Sequence, residues 1–198
     1  PKAPTREEYE RHQTTHAPFA AWCKNCVVAR AIRTKHPTKG RRATVVHDTQ
    51  SGQGPMKISI DYMYLHDRVE KNKDARFNPP YLIVVEHTYG RCWAYQVPNK
   101  GYMDGAHWLP MRLLQDWDNN GMEEAKVILK TDQEPAMTSV QTAVQEFRPK
   151  GVIPVNSPVG ESESNGRVEN AIRRVQEKVR VLRRQLQTNI KTKIIDST

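Results

Sequence analysis

The spacing of hydrophobic positions changes along the chain. In "KISIDYMYL" (57–65) apolar and aromatic residues occupy both faces of an extended segment, the pattern of a strand buried inside a sheet. "YLIVVEHTYGRCWAYQVP" (81–98) predicts two strands joined around Tyr89-Gly90. "GAHWLPMRLLQDWDNN" (105–120) predicts a helix, with Pro110 limiting where it starts or bends. "AKVILKTD" (125–132) predicts another buried strand, and "GVIPVN" (151–156) a short one. Between them, Pro135 marks a helix start, followed by Met137, Val140, Ala143, Val144 and Phe147 at helical spacing. In the last segment Val168, Ile172, Val175, Val179, Leu182 and Leu186 recur at steps of 4, 3, 4, 3 and 4. That is one apolar stripe on a long helix starting near Ser164–Gly166, with Ser164 or Asn165 as its cap. The expected partner of the stripe is the chain's own sheet, and a helix–helix interface is the alternative.

Ahead of these elements the pattern differs. Residues 1–36 form a short His/Cys-rich unit, and residues 37–56, rich in Pro, Gly and polar side chains, read as a linker. Residues 57–198 then form an α/β main domain, in keeping with a length of 198 residues that allows one sizeable core and a small appendage. No run of about 18 apolar residues predicts a membrane span, and "PKAPTREEYERH" lacks the apolar stretch of a signal peptide. The formal charge of +9 favours a polyanionic partner, nucleic acid before membrane. Basic residues cluster in 23–42 and along the last helix, where Arg173, Arg180 and Arg184 are candidate phosphate contacts; a solvated helix face is the plainer reading.

Two groups of residues carry chemistry. "HQTTHAPFAAWCKNC" presents His12, His16, Cys23 and Cys26 as H-x3-H-x6-C-x2-C. An i, i+4 histidine pair shares a helix face and a CxxC offers two thiolates, a ligand set suited to tetrahedral Zn2+. His36 is an alternative ligand for either histidine. Cys92, alone in "YGRCWAYQV", reads as a small buried residue on a strand. The second group is acidic. Asp61 lies inside an apolar strand, where an uncompensated carboxylate costs on the order of several kcal/mol. Asp132 ends the strand "VILKT", and Glu169 follows Val168 at the edge of the helix stripe. Two strands and a helix bringing Asp61, Asp132 and Glu169 together would suit two Mg2+ ions.

"SIDYMY", "ILKTDQEPA" and "SNGRVENAI" together resemble the D,D,E core of the integrases of retroviruses and LTR retrotransposons. In that family the first Asp lies on the first strand, the second follows a strand, and the Glu opens a helix after an Asn-Gly pair. The corresponding positions here are Asp61, Asp132 and Glu169, the last two separated by 36 residues, close to the family's characteristic gap. The resemblance implies a ribonuclease-H-like mixed sheet flanked by helices. It also implies two Mg2+ or Mn2+ ions on the three acids, trimming of a DNA 3′ end, and attack of that end on target DNA, with endonuclease and polynucleotidyl transferase activity. Asn165 and Gly166 would shape the loop that meets the DNA end, with Glu161 and Glu163 as loop charges.

The family's members also carry an HHCC zinc domain ahead of the core, in the same order. Here the gap between the His and Cys pairs is much shorter than usual and contains Pro18, so a compact zinc knuckle is expected. Joining two DNA ends implies a homo-oligomer. The resemblance further implies a piece of a polyprotein made in the cytoplasm and acting in the nucleus, here cut short at its C-terminus. The alternatives are a transposase or nuclease of the same fold, or a decayed or domesticated module that binds nucleic acid without catalysis.

Overall fold

A computed structural model describes residues 3–31, 54–65, 79–103, 106–157 and 165–192. His36, the linker through residue 53 and the loop carrying Glu161, Glu163 and Ser164 lie outside the described residues. The chain forms two compact units. One extends to residue 172 and contains the sheet; the other combines the N-terminal residues with the chain from Arg173 onward.

The sheet unit contains β1 (Met56–Met63), β2 (Tyr81–Glu86), β3 (Cys92–Gln96), β4 (Val127–Thr131) and β5 (Val152–Asn156). Their spatial order is β3-β2-β1-β4-β5. β1, β2 and β3 pair antiparallel, whereas β4 lies parallel to β1 and β5 parallel to β4. This is the mixed sheet flanked by helices expected of a ribonuclease-H-like chain. All five strands fall where the apolar runs placed them. The turn between β2 and β3 passes through Gly90, whose positive φ of 70° suits a residue without a Cβ.

Alternation along β1 divides its side chains between two environments. Ile58, Ile60 and Tyr62 join Leu82, Val84, Val127 and Leu129 in the main core. Helices α3 (Trp108–Asp118) and α4 (Pro135–Phe147) close that core with Leu109, Leu113 and Trp117, and with Met137, Val140 and Val144. Pro110 is accommodated because it falls in the first turn of α3, where a backbone N–H has no intrahelical acceptor. Pro135 takes the first position of α4 for the same reason. The buried Gln141 amide donates to the carbonyls of Leu129 and Val155, at 2.7 and 3.2 Å, tying β4 to β5. Cys92 departs from expectation: β3 is an edge strand and the thiol is exposed.

The second face of β1 carries Ser59, Asp61 and Met63. The first turn of α5 (Gly166–Ile190) reaches this face, because Arg167 donates to the His87 carbonyl at 2.6 Å while His87 Nε2 bonds the Ser59 hydroxyl at 2.8 Å. Val168 and Ala171, early in α5, are buried.

The other unit holds α1 (Arg6–Thr15) and α2 (Lys24–Ala31). α1 opens with a reciprocal cap: Thr5 Oγ1 accepts from the Glu8 N–H, and the Glu8 carboxylate accepts from the Thr5 N–H. From Arg173 onward α5 belongs to this unit, and Val181 packs with Cys23, Cys26 and Ala29. The apolar stripe therefore does not serve the sheet along its whole length, as periodicity alone suggested. Its middle serves the His/Cys unit, and Leu182 and Leu186 are exposed.

Candidate metal centres

His12, His16, Cys23 and Cys26 are all buried, and their ligand atoms lie within 4.8 Å of one another. His12 stands in the last turn of α1. His16 caps that helix in the left-handed conformation (φ 51°), which returns its ring to the helix end. The Nε2 of His12 and the Nδ1 of His16 are 3.3 Å apart. The Cys23 thiol lies 3.4 Å from His16 Nδ1, and the Cys26 thiol 3.3 Å from His12 Nε2 and 3.6 Å from His16 Nδ1. Metal bonds of about 2.0–2.1 Å to nitrogen and about 2.3 Å to sulfur put tetrahedral neighbours roughly 3.3–3.8 Å apart. The four separations given match the edges of a zinc-sized tetrahedron, so these atoms could hold that ion. Burial, with His16 and Lys178 nearby, lowers the His12 pKa and favours the neutral imidazole that binds metal. Burial pushes the Cys26 thiol up, so an ion must displace its proton.

The acidic residues are arranged by strand register. Parallel pairing of β1 with β4 runs to Ser59 opposite Lys130. Asp61 lies two residues past the last of these pairs and Asp132 directly follows β4, and the Asp132 charge acts on Asp61. Asp61 Oδ1 accepts from the Tyr62 N–H at 2.7 Å, and Asp132 Oδ1 accepts from the Glu134 N–H at 3.1 Å. Burial raises the Asp61 pKa to about 6 despite its backbone hydrogen bond; the charges of Asp132 and Glu134 add to the rise and Lys100 opposes it. A half-buried carboxyl raised mainly by desolvation, with a neighbouring carboxylate adding to the rise, is a group that a cation would stabilise in its charged form.

Sequence reasoning overlooked the cation already beside these acids. Lys100 Nζ donates to both Glu134 carboxylate oxygens, at 2.9 and 3.1 Å, and lies 5.5 Å from the Tyr62 ring centroid. Gly101 makes the turn possible. Its φ is 92°, its N–H donates to the Tyr62 hydroxyl at 2.9 Å, and an added Cβ would come within 3.2 Å of Ser139 Oγ. The only local signals were the Gly in "PNKG" and the second acid in "TDQE".

Glu169 lies in the first turn of α5, half-buried, one residue after the fully buried Val168. Asn165 is joined to the end of β5, its Oδ1 accepting from the Ser157 hydroxyl at 2.7 Å. The start of α5 is thus anchored beside β4 and β5, at whose carboxyl ends Asp132 stands. Gly166 is half-buried with open space where a Cβ would be. Arg173 and Arg184 are exposed; Arg180 is half-buried, with Nε and Nη2 lacking a hydrogen-bond partner among the described residues. All three arginines belong to the unit that contains the His/Cys site.

Comparison with family models and with curated proteins gives no match. Among solved structures, the chain is similar to one from the simian T-cell lymphotropic virus intasome in complex with PP2A regulatory subunit B56 gamma. The identity is 13%, the match covers 87% of this chain and 63% of that one, and the TM-score is 0.42. The chain thus spans less than two thirds of the intasome chain's length.

Proposed function

We propose that the sheet unit is a metal-dependent polynucleotidyl transferase of the integrase type, acting on element ends and target DNA, and that the His/Cys unit is its zinc knuckle. What supports this reading is Asp61, inside β1, within reach of the charge of Asp132, which follows the parallel strand β4, with burial raising Asp61 to about 6. Asp61, Asp132 and Glu169 would hold two Mg2+ or Mn2+ ions. When bound, such ions supply Lewis-acid stabilisation of attacking and leaving oxygens in phosphodiester displacement. Asp61 and Asp132 fit that role as hard oxygen donors whose mutual repulsion a cation relieves. Glu169 enters from the first turn of α5, and Asn165 and Gly166 just before it would meet a DNA end. Arg173, Arg180 and Arg184 would add sequence-independent phosphate affinity. The chain would work as a homo-oligomer in the nucleus, released from a polyprotein.

A strand-transfer assay on labelled DNA ends with Mg2+ or Mn2+ tests the proposal. The parent chain should cleave and join, and Asp61→Asn, Asp132→Asn and Glu169→Gln should each abolish both while leaving DNA binding. The formal charge of +9 and the basic last helix favour a second reading, a nucleic-acid-binding module without catalysis. Binding by the parent chain with no cleavage or joining in either metal would leave that reading alone.

A further inference from the structure

A ligating imidazole uses one ring nitrogen for the metal and carries its proton on the other, and the partner of that N–H sets tautomer and ring orientation. In His16 the nitrogen turned to the thiols and to His12 is Nδ1, so Nε2 must bear the proton. What Nε2 meets is Gln185 Oε1, contributed by α5 from 169 residues away. An amide oxygen is the acceptor this N–H requires. The amide's orientation is set in turn, because Gln185 Nε2 donates to Gln13 Oε1 at 3.0 Å.

Gln185 does not act alone on that helix. Val181, one turn earlier, is buried against Cys23, Cys26 and Ala29. Lys178, a further three residues back, donates to the Thr15 carbonyl next to His16. Positions 178, 181 and 185 are spaced by three and four residues, so they share one helix face. We infer that Gln185 is a positioning residue for the zinc ligand His16, and that the Lys178–Val181–Gln185 face of α5 is a wall of the zinc site. A knuckle read from residues 1–36 alone is then incomplete: its ligands come from the N-terminus, but one ligand's orientation comes from the last helix. This inference rests on the four ligands holding zinc.

The test uses the full chain and zinc itself. Parent, Gln185→Leu and Gln185→Glu proteins are titrated with zinc against a chromophoric chelator, and the Co2+-substituted forms are compared by their visible spectra. The parent should hold one zinc per chain. Gln185→Leu, which lacks an acceptor, should weaken binding by roughly 10–100-fold and alter the Co2+ bands, the usual penalty for losing a partner of a metal-bound histidine. Gln185→Glu keeps an acceptor oxygen and should retain parental affinity and spectrum, which loss of packing alone would not produce. Independently of any variant, the isotope-labelled, zinc-loaded parent should show a slowly exchanging His16 Nε2–H resonance. Parental zinc affinity in Gln185→Leu, equal weakening in both variants, or no such resonance would overturn the role of Gln185 while leaving the zinc site standing. A parent chain that holds no zinc would remove both.

Discussion

Lys100 grips Glu134 by both carboxylate oxygens, at 2.9 and 3.1 Å, and the pair stands beside Asp61. Of the two, the ammonium lowers the Asp61 pKa and the carboxylate raises it, so each masks the other. Removing one partner exposes the other's effect. In Lys100→Met, Asp61 should titrate above about 6, and in Glu134→Gln below it. Carboxyl NMR of the metal-free chain reads both shifts; movement in the same direction would show that Lys100 and Glu134 do not sense Asp61 separately.

His87 links acidity to stability. Burial, reinforced by Arg167, lowers its pKa to about 4. In the unfolded chain an ordinary histidine titrates near 6.5, so between about 6.5 and 4 the unfolded state takes up the proton more readily. The neutral His87 therefore contributes its full stability above about pH 6.5, and this declines as pH falls toward 4. His87→Gln cannot protonate and should lose less stability over that window. Urea midpoints of the two proteins at pH 7 and pH 4.5 give the comparison, which a parallel decline would contradict.

Metal removal should act on one unit. Chelating zinc from the intact chain, or replacing Cys26 with Ser, should reduce the helical signal contributed by α1 and α2, because the four ligands and Val181 supply most of the small core there. The sheet has its own core and should keep its near-UV signal. Circular dichroism before and after chelation distinguishes a local loss from a global one.

Trp117 is fully buried between the helices and the sheet. Trp117→Ala should cost about 3–5 kcal/mol, the range for emptying a large aromatic site that cannot collapse. Urea unfolding of the sheet unit measures it, and a cost below about 1 kcal/mol would show that the site refills.

The parts of this protein that sequence disclosed share one trait: their physics is local. A buried strand shows itself in a run such as "YLIVVE", and a helix start in Pro135. The His/Cys four were legible because all lie within fifteen positions of one another. Cys92 misled because the same apolar surroundings suit an edge strand and a central one, and only strand order tells them apart.

By itself, then, the sequence determined which segments become strands and helices, which side chains could bind metal, and that the surface is strongly basic. Tertiary structure decided what those pieces meet. Parallel pairing of β1 with β4 brings Asp61 within reach of the charge of Asp132, 71 positions away in the chain, and a turn at Gly101 delivers Lys100 to Glu134. α5 gives its early turns to the sheet and its later ones to the His/Cys unit, where Gln185 meets His16. A period of 3.6 residues says that a helix has an apolar face and is silent on what covers it, because that choice is made by contacts between distant residues whose free energy no local window contains.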